Sequence, residues 1–251
     1  MSRCLILGVL VFRAAWAQAP AYSAAEIVNA SNYASGPFAP NSVLAIFGSN
    51  LSWLTYAMGV NDIIASTLPT ELAGVEVYVD DSPAGVLYVS ESQINFIVPV
   101  NEIAGDVTVR VAREGVSGPE VTVTLVNAAP ELFGDGTGYA IATHADGTLL
   151  TSASPAQGGE IVVIYATGMG ATEPNQAIPQ SAAPVVGLAS LSVSLDGVVL
   201  PSFRIKYAGA TPLSAGLYQI NLEIPQDTGT DPVIQVTMGT QSSAALQIAV
   251  E

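Results

Sequence analysis

The chain has 251 residues, of which 50% are hydrophobic and 11% are charged, so it can bury one large core or two smaller ones. Its 21 acidic and 6 basic residues give a formal net charge of −15, which disfavours nucleic acids and anionic membrane surfaces as partners. A single cysteine excludes an intrachain disulfide.

The beginning of the sequence follows the pattern of a secretory signal peptide. Arg3 precedes a short apolar run from Cys4 to Phe12, and Ala15-Trp16-Ala17 matches a cleavage site with small residues. The apolar run, which Arg13 interrupts, is too short to span a bilayer permanently. We therefore expect a cleaved signal peptide over residues 1–17, a secreted or cell-envelope location and no membrane insertion of the mature chain. An uncleaved interfacial anchor is the alternative.

Beyond residue 40 the dominant pattern is an alternation of apolar and polar residues, which places every second side chain on one face of a strand. The segments that show it include 75–79, 107–111, 121–125, 191–195, 220–224 and 246–250. Short strands separated by Gly, Pro, Asp and Asn clusters are typical of β-sandwiches. The one helix candidate, Leu51 to Ser66, contains Gly59, and we interpret it as a long loop with one or two helical turns. The sequence therefore predicts an all-β protein.

An internal repeat organises the chain. The stretch Ser42–Leu51 resembles Glu160–Met169, and Gln93–Pro99 matches Gln219–Pro225. Segment 75–80 also matches 191–196, and Tyr88 matches Tyr207, always in the same order. We therefore predict two tandem immunoglobulin-like β-sandwiches with these boundaries: a signal peptide over 1–17, an N-terminal segment over 18–36, a first sandwich over 37–127, a connector with a hairpin at Tyr139–Leu150 over 128–158, and a second sandwich over 159–251.

Six motifs of this sequence resemble those of a known family: Pro40–Leu51, Leu68–Val75, Leu87–Phe96, Ala129–Phe133, Tyr165–Gly170 and Ala215–Asn221. Together they are similar to the uncharacterised Solibacter-type C-terminal domain, which is abundant in exported acidobacterial proteins. Each half also resembles an immunoglobulin-like IPT/TIG sandwich. The resemblance implies an exported protein with this architecture, and it implies no catalytic residue.

The residue types that usually carry catalysis are scarce. His144 is the only histidine; it precedes Asp146-Gly147 at a predicted hairpin tip, and no G-x-S-x-G elbow is present. We interpret it as an exposed turn residue. Lys206, the only lysine, shares a predicted strand face with Arg204, and we interpret both as parts of a solvated face. We therefore predict that the protein is not an enzyme.

Acidic residues leave two alternatives open. Asp80 and Asp81 are adjacent and point to opposite faces of a strand, but a non-adjacent carboxylate pair could hydrolyse a glycoside. Calcium could be held by oxygen ligands in Gly- and Thr-rich turns that contain Asp80, Asp81, Asp135, Asp227 and Asp231. The spaced acidic series of a calcium loop is absent, so we predict no cofactor and keep calcium as the alternative.

Loop side chains that could bind a ligand are concentrated in one insertion. Trp53, Tyr56 and Met58 lie in the 51–66 segment, for which the sequence shows no counterpart in the second half. A flat aromatic ring can stack on a sugar, so we predict these three as ligand-binding residues. The alternative is that they cap the sandwich as a small hydrophobic cluster. Two Gln-x-Asn pairs, at 93–95 and 219–221, recur in both halves and are expected to bond loop backbone.

Together these features favour an exported, non-catalytic binding, adhesion or envelope-associated module that contacts a protein or glycan surface. The first alternative is an accessory carbohydrate-binding protein that uses the loop aromatics. The second is a hydrolase with a carboxylate pair. The ligand and the oligomeric state are open.

Overall fold

The computed structural model describes residues 18–251, and the predicted signal peptide lies outside the described residues. Helical structure within 18–251 is limited to short 3₁₀ turns at Ala24–Glu26, Val60–Asp62, Leu188–Ser190 and Ser202–Arg204. None of these turns has the length or apolar character needed to cross a bilayer. Antiparallel strands dominate this part of the chain, and the all-β prediction is confirmed.

Eleven strands build the first sandwich. In chain order they are β1 Ile27–Asn29, β2 Val43–Phe47, β3 Tyr56–Ala57, β4 Glu71–Leu72, β5 Val75–Val79, β6 Ser82–Pro83, β7 Gly85–Val89, β8 Gln93–Ile97, β9 Gly105–Arg113, β10 Val116–Ser117 and β11 Val121–Leu125. One sheet has the order β1-β2-β8-β7-β3. The facing sheet has the order β10-β9-β5-β4, with β11 on β9 and β6 on β5.

Eleven further strands build the second sandwich. They are β12 Glu131–Leu132, β13 Ala142–His144, β14 Ile161–Thr167, β15 Ala183–Pro184, β16 Leu191–Leu195, β17 Val198–Val199, β18 Ile205–Ala210, β19 Tyr218–Glu223, β20 Val233–Met238, β21 Gln241–Ser242 and β22 Leu246–Gln247. One sheet has the order β12-β14-β19-β18-β15, with β13 also on β14. The other has the order β17-β16-β20-β21, with β22 on β20.

Most strands of the two sandwiches correspond, which explains the internal repeat; β4 has no equivalent in the second sandwich, and β12 and β13 together take the place of β1. A register shift interrupts β7 just before Tyr88 and β18 just before Tyr207. Gln93 Nε2 donates to Asn95 Oδ1 at 2.9 Å, and the matching pair at 219–221 does the same at 3.0 Å. These amides bond each other along one strand face, so the expectation that they bond loop backbone is wrong.

The insertion at 51–66 has a structural counterpart that the sequence does not reveal. Edge strand β3 in this loop pairs with β7, and edge strand β15 pairs with β18 at the corresponding place of the second sandwich. The loop that leads from β14 to β16 is therefore equivalent to the loop that leads from β2 to β5. The inference from the sequence that this insertion has no counterpart in the second half is therefore wrong.

Each sandwich closes around its own core, as the alternation predicts. Val75, Val77 and Val79 of β5 are at most 1% exposed, while the residues between them are half-buried. Leu191, Val193 and Leu195 have the same role in β16. Burying one face of each sheet against the other removes apolar surface from water and is the main stabilising contribution.

The segments flanking the first predicted sandwich are integrated into the sheets. Within 18–36, β1 pairs with β2, and the Tyr22 hydroxyl donates to Pro119 O and accepts from Val111 N. Burial raises the pKa of Tyr22 above its ordinary value. Within 128–158, β12 and β13 pair with β14, and Leu132 and Leu150 enter the second core. The connector hairpin therefore packs as part of the second sandwich.

The sandwiches meet end to end through strand termini. Asn41 Nδ2 donates to the buried Tyr218 hydroxyl at 3.1 Å, and that hydroxyl donates to Gly170 O at 2.5 Å. Val43 N, at the start of β2, donates to Thr167 Oγ1, at the end of β14, at 3.1 Å. Burial raises the pKa of Tyr218 to about 12. The hydroxyl therefore stays protonated and can both donate and accept across this junction.

Strand directions at the junction define the two free ends of the molecule. Strand β14 ends at the junction, and its equivalent β2 begins there and runs away from it. Equivalent strands of the two sandwiches therefore run in the same direction along the long axis of the molecule. We call the end where β2 finishes, beside Asn50 and Trp53, the Trp53 end. We call the opposite end, where Arg204 bonds Glu223 at the close of β19, the Phe203 end.

Candidate functional site

Trp53 presents an oriented ring at the Trp53 end. Its side chain is 55% exposed, and its Nε1 donates to Glu114 Oε2 at 3.2 Å. The guanidinium of Arg113 lies 3.7 Å from the ring centroid, on one face of the indole. A hydrogen bond in the ring plane and a cation on one face fix the ring orientation. The free face of the indole is therefore available to a partner.

Arg113 is the support of this arrangement. It is 1% exposed, and its guanidinium donates to the backbone carbonyls of Asn50 and Gln18. A planar guanidinium has donors on several sides, so it can bond two carbonyls and stack on an aromatic ring at once. Arg113 thereby joins the N-terminal segment, the turn before Trp53 and the indole itself.

The other two predicted ligand-binding residues lie in different surroundings. Tyr56, on edge strand β3, is 44% exposed, and its hydroxyl donates to Asp62 at 3.2 Å. That carboxylate raises the pKa of Tyr56. Met58 is half-buried and packs against the hydrophobic clusters below the loop. The insertion thus combines an exposed aromatic surface with a packed cap, and ligand binding by these three residues stays a prediction.

Exposed aliphatic residues extend this surface beyond the predicted three. Leu54 is 61% exposed beside Trp53, while Val60 and Ile64, further along the loop, are 83% and 75% exposed. Exposed apolar groups in one segment mark a contact surface more often than scattered single ones. Sequence reasoning weighted the aromatic residues and left these aliphatic ones out.

His144 forms a bonded cluster at the Phe203 end. Its Nδ1 lies 2.5 Å from Glu160 Oε1, and its Nε2 lies 3.1 Å from Ser154 Oγ and 3.2 Å from Ser154 O. The His144 side chain is 19% exposed. His144 is thus largely buried and bonded, and its interpretation as an exposed turn residue is wrong. The sequence does not show these contacts because the partners lie ten and sixteen residues away.

This Ser–His–Glu arrangement resembles a catalytic triad in its connectivity, but it favours a different protonation state. A triad histidine must accept the serine proton at Nε2. Here Nε2 also faces the carbonyl of Ser154, which can only accept a hydrogen bond. Both ring nitrogens thus face acceptors, so the geometry favours an imidazolium that links Glu160 to the turn at Ser154.

The His144–Glu160 contact leads to a prediction about pH. The hydrogen bond to Glu160 raises the pKa of His144 above its ordinary value of 6.5. Folding therefore favours the protonated form: this stabilisation is fully present below the unfolded pKa and disappears as pH rises through the folded pKa. Because the chain has one histidine, its ring protons can be titrated by NMR without ambiguity. We expect a pKa above 6.5 that falls toward 6.5 in Glu160→Gln, and an equal pKa in both proteins would contradict the imidazolium.

Lys206 and Arg204 share one carboxylate. Lys206 Nζ lies 2.6 Å from Glu223 Oε2, and Arg204 Nη1 lies 2.9 Å from Glu223 Oε1. Lys206 first, and then Arg204, hold the pKa of Glu223 below its ordinary value. The prediction that both cations lie on one solvated strand face is wrong, because Arg204 ends the 3₁₀ turn Ser202–Arg204, only Lys206 lies on β18, and both pair with Glu223.

The aspartates considered for calcium have local structural roles. Asp80 Oδ1 accepts from Thr108 N at 2.8 Å, and Asp196, its counterpart, accepts from Val233 N at 2.9 Å. Asp135 bonds Thr137, and Asp231 accepts from the Tyr139 hydroxyl at 3.0 Å. In the part of the chain that the structure describes, no group of three or more His, Cys, Asp or Glu side chains could hold a metal ion.

Two open clefts flank the junction between the sandwiches. One, of about 430 Å³, lies between the Ser66–Leu68 segment, Ile97 and Ile178. The other, of about 690 Å³, lies between Ile103 and the two methionines Met169 and Met238. Pockets at domain interfaces often bind ligands, but these two lack a convergent set of charged groups, since Glu102 is the one ionisable residue that lines either of them.

Comparison with known proteins bears on the first sandwich. Residues 27–126 match the IPT/TIG domain family. The predicted IPT/TIG resemblance is thus supported for the first sandwich, and the TIG match begins at β1 and ends just after β11. The finer resemblance, to the Solibacter-type domain, stays a prediction.

The curated proteins give no match. Among solved structures, the chain is similar to SGBP-B of the Bacteroides ovatus mixed-linkage glucan utilization locus, solved with a mixed-linkage heptasaccharide (11% identity, TM-score 0.33, covering 85% of this chain and 42% of that one). It is also similar to the surface glycan-binding protein PbSGBP-B from Prevotella bryantii (14%, 0.29, 92% and 42%) and to domains 5–6 of the S-layer protein SbsC (11%, 0.28, 92% and 98%). The chain spans less than half the length of the first two. Similarity at this level implies no ligand for this chain.

Proposed function

We propose that this protein is an extracytoplasmic, non-catalytic binding module that contacts a protein or glycan surface through its Trp53 end. The observation that carries the proposal is the half-exposed indole of Trp53, which the buried Arg113 supports from below and Glu114 holds at its edge. Holding an exposed ring in one orientation reduces the entropy that a partner must remove on binding. Leu54 adds apolar contact area beside it.

A glycan ligand is the second candidate. An indole with one free face suits stacking against the apolar face of a sugar ring, and the Glu114 carboxylate, in the turn between β9 and β10, offers a polar contact at the edge of the indole. A protein partner would use the same indole together with the aliphatic residues Leu54 and Val60. The two candidates therefore differ in how strongly binding depends on Leu54 and Val60.

A non-catalytic role is consistent with the bonded groups at the Phe203 end. His144 is hydrogen-bonded to Glu160 and Ser154, and Glu223 is ion-paired with Arg204 and Lys206. These charged side chains therefore stabilise the local structure. The carboxylate-pair hydrolase, considered from the sequence, gains no support from these contacts.

The test is binding of the protein, without its predicted signal peptide, to a glycan array and to isolated bacterial envelopes. We expect Trp53→Ala to weaken binding about tenfold or more, which is the effect of losing a central aromatic contact. Trp53→Phe keeps a flat ring and should retain part of the affinity. Tyr33→Ala removes another exposed aromatic side chain, 61% exposed, and serves as the matched control.

Two results would count against the proposal. If Trp53→Ala and Tyr33→Ala bind as the wild type does, the Trp53 end is not the contact surface. If binding is lost equally in both variants, the effect is not specific to Trp53. A glycan signal that depends on Trp53 but not on Leu54 would select the glycan candidate over the protein candidate.

A further inference from the structure

The Phe203 end exposes apolar residues that the fold itself does not require. Strand β17 places Val198 and Val199 at the sheet edge with 67% and 63% exposure. The equivalent strand of the first sandwich, β6, has Ser82 and Pro83 in the same pairing with the neighbouring strand. Since one fold accommodates both pairs, the valines are not a packing requirement, and their exposure suggests a contact surface.

Phe203 and two cations complete this surface. Phe203 is 66% exposed and lies 5.5 Å from the Arg204 guanidinium. Arg204 and Lys206 share the single carboxylate of Glu223, so one net positive charge remains beside the phenyl ring. The Asp196 carboxylate in the adjacent turn directs its Oδ1 back to Val233 N.

The charges around Trp53 are opposite in sign to the local charge beside Phe203. It exposes Trp53 and Leu54, and the carboxylates of Glu114 and Glu91 bond the indole and the Asn50 amide there. The cation at this end, Arg113, is buried with its donors used internally. Beside Trp53 the exposed charges are carboxylates, whereas beside Phe203 one net positive charge remains, within an end that also carries the carboxylates of Asp146, Asp196, Asp227 and Asp231.

The internal junction shows how two such ends can meet. In the first sandwich, Pro83 of β6 lies at the junction and lines a cleft together with Ile178, from the loop of the second sandwich between β14 and β15. The same loop supplies Asn175, whose Nδ2 donates to Val100 O at 2.9 Å. Strand β17 is the counterpart of β6, and the loop bearing Trp53 is the counterpart of the loop bearing Ile178. The Phe203 end of the second sandwich is thus equivalent to the side of the first sandwich that faces the junction. The Trp53 end of the first sandwich is equivalent to the side of the second sandwich that faces the junction.

We propose that the Phe203 end of one copy binds the Trp53 end of a second copy, so that copies of this chain assemble head to tail. The proposal rests on the proposed function, in which the Trp53 end is a binding surface, and it names a second copy as the partner. A contact between two different surfaces leaves one of each free at the ends of the assembly, and because these surfaces lie at opposite ends of the molecule, further copies add in line and form an open linear array.

The test is the size distribution of the protein, without its predicted signal peptide, in sedimentation velocity over a concentration series. Salt of about 0.15 M limits repulsion between the acidic copies, because it screens charges beyond about 8 Å. One variant, Trp53→Ala with Leu54→Ser, blocks the Trp53 end. A second, Val198→Thr with Phe203→Ser, blocks the Phe203 end. Ile103→Ser, at a residue that is 79% exposed beside the junction, is the matched control.

We expect wild type and the Ile103→Ser control to form oligomers whose length grows with concentration, and each blocked variant to be monomeric. A mixture of the two blocked variants should form dimers and nothing longer, because it contains one intact end of each kind. Circular dichroism and thermal unfolding check that the variants are folded. Should one double variant unfold, Phe203→Ala or Trp53→Ala alone replaces it.

Several results would overturn the assembly. One is a wild type that stays monomeric at submillimolar concentration or stops at dimers. The others are blocked variants that still oligomerise and a mixture of the two blocked variants that stays monomeric. If the wild type is monomeric while Trp53→Ala still loses binding to glycans or envelopes, the proposed function stands and only the self-assembly fails. If wild-type oligomers form but Trp53→Ala affects neither oligomers nor ligand binding, both proposals fail.

Discussion

Replacing Arg113 with alanine is expected to lower the free energy of unfolding by about 3 kcal/mol and to release Trp53 from its orientation. The guanidinium is buried and donates to the carbonyls of Asn50 and Gln18 in partly buried hydrogen bonds, and both carbonyls would lose this donor. Each unpaired buried acceptor costs about 1–3 kcal/mol. The indole would also lose the cation on its inner face.

Urea unfolding monitored by circular dichroism measures the stability, and acrylamide quenching of tryptophan fluorescence measures the release. Without the signal peptide, Trp53 is the sole tryptophan, so its emission reports this site alone. Arg113→Met is the matched control, since it keeps the apolar stem and removes only the charged donors. Equal stability and equal quenching in wild type and Arg113→Ala would show that Arg113 does not support the Trp53 surface.

Replacing Gly168 with alanine is expected to be the most destabilising single-methyl change at the junction. Gly168 has a φ of +71°, and a Cβ there would come within 2.2 Å of Ala129 O and 3.0 Å of Ser42 Oγ. The left-handed backbone alone costs a non-glycine residue about 1–2 kcal/mol. The collision with backbone adds to this cost, because Ala129 N bonds Gly168 O and the two segments cannot separate without losing that bond.

Gly147 provides a matched control for this change. Its φ is +88°, and a Cβ at that position meets nothing within 4 Å. Gly147→Ala therefore introduces the backbone strain without the collision. Thermal unfolding should show a clearly larger loss for Gly168→Ala than for Gly147→Ala, and small-angle scattering should show a change in shape for the first alone. An equal loss of thermal stability in the two variants would mean that the collision between the added Cβ and Ala129 O does not contribute to the destabilisation.

The alternating pattern predicted the sheets well because each sheet has one buried and one solvated face. The run Ile161–Tyr165 is apolar throughout, which is typical of a strand buried on both faces or of one at the centre of a sheet; β14 is central, between β12 and β13 on one side and β19 on the other, but it is not buried on both faces. In the structure Val162 and Ile164 are fully buried, whereas Ile161 is 39% exposed at the Phe203 end. A strand that begins at a free end of a sandwich has no neighbouring layer to cover its outward side chains, and the sequence does not show where that end is.

For the candidate site, sequence reasoning located the loop but missed its support. Trp53 stands out as an aromatic residue in an insertion, whereas Arg113 looks like an ordinary charge. A signal was nevertheless present: Arg113 continues the inward series Val107, Val109, Val111 at a spacing of two, so the alternation itself directs it to the core. The contacts of His144 with Ser154 and Glu160, in contrast, depend on turn geometry that no local pattern encodes.

The shared direction of the two sandwiches has a mechanical consequence. Strands β2 and β8 of the first sandwich, and β14 and β19 of the second, run between the junction and a free end. Antiparallel hydrogen bonds lie perpendicular to their strands. Tension applied at the two ends therefore pulls along the strands and loads the bonds of each ladder together in shear, instead of opening them one after another.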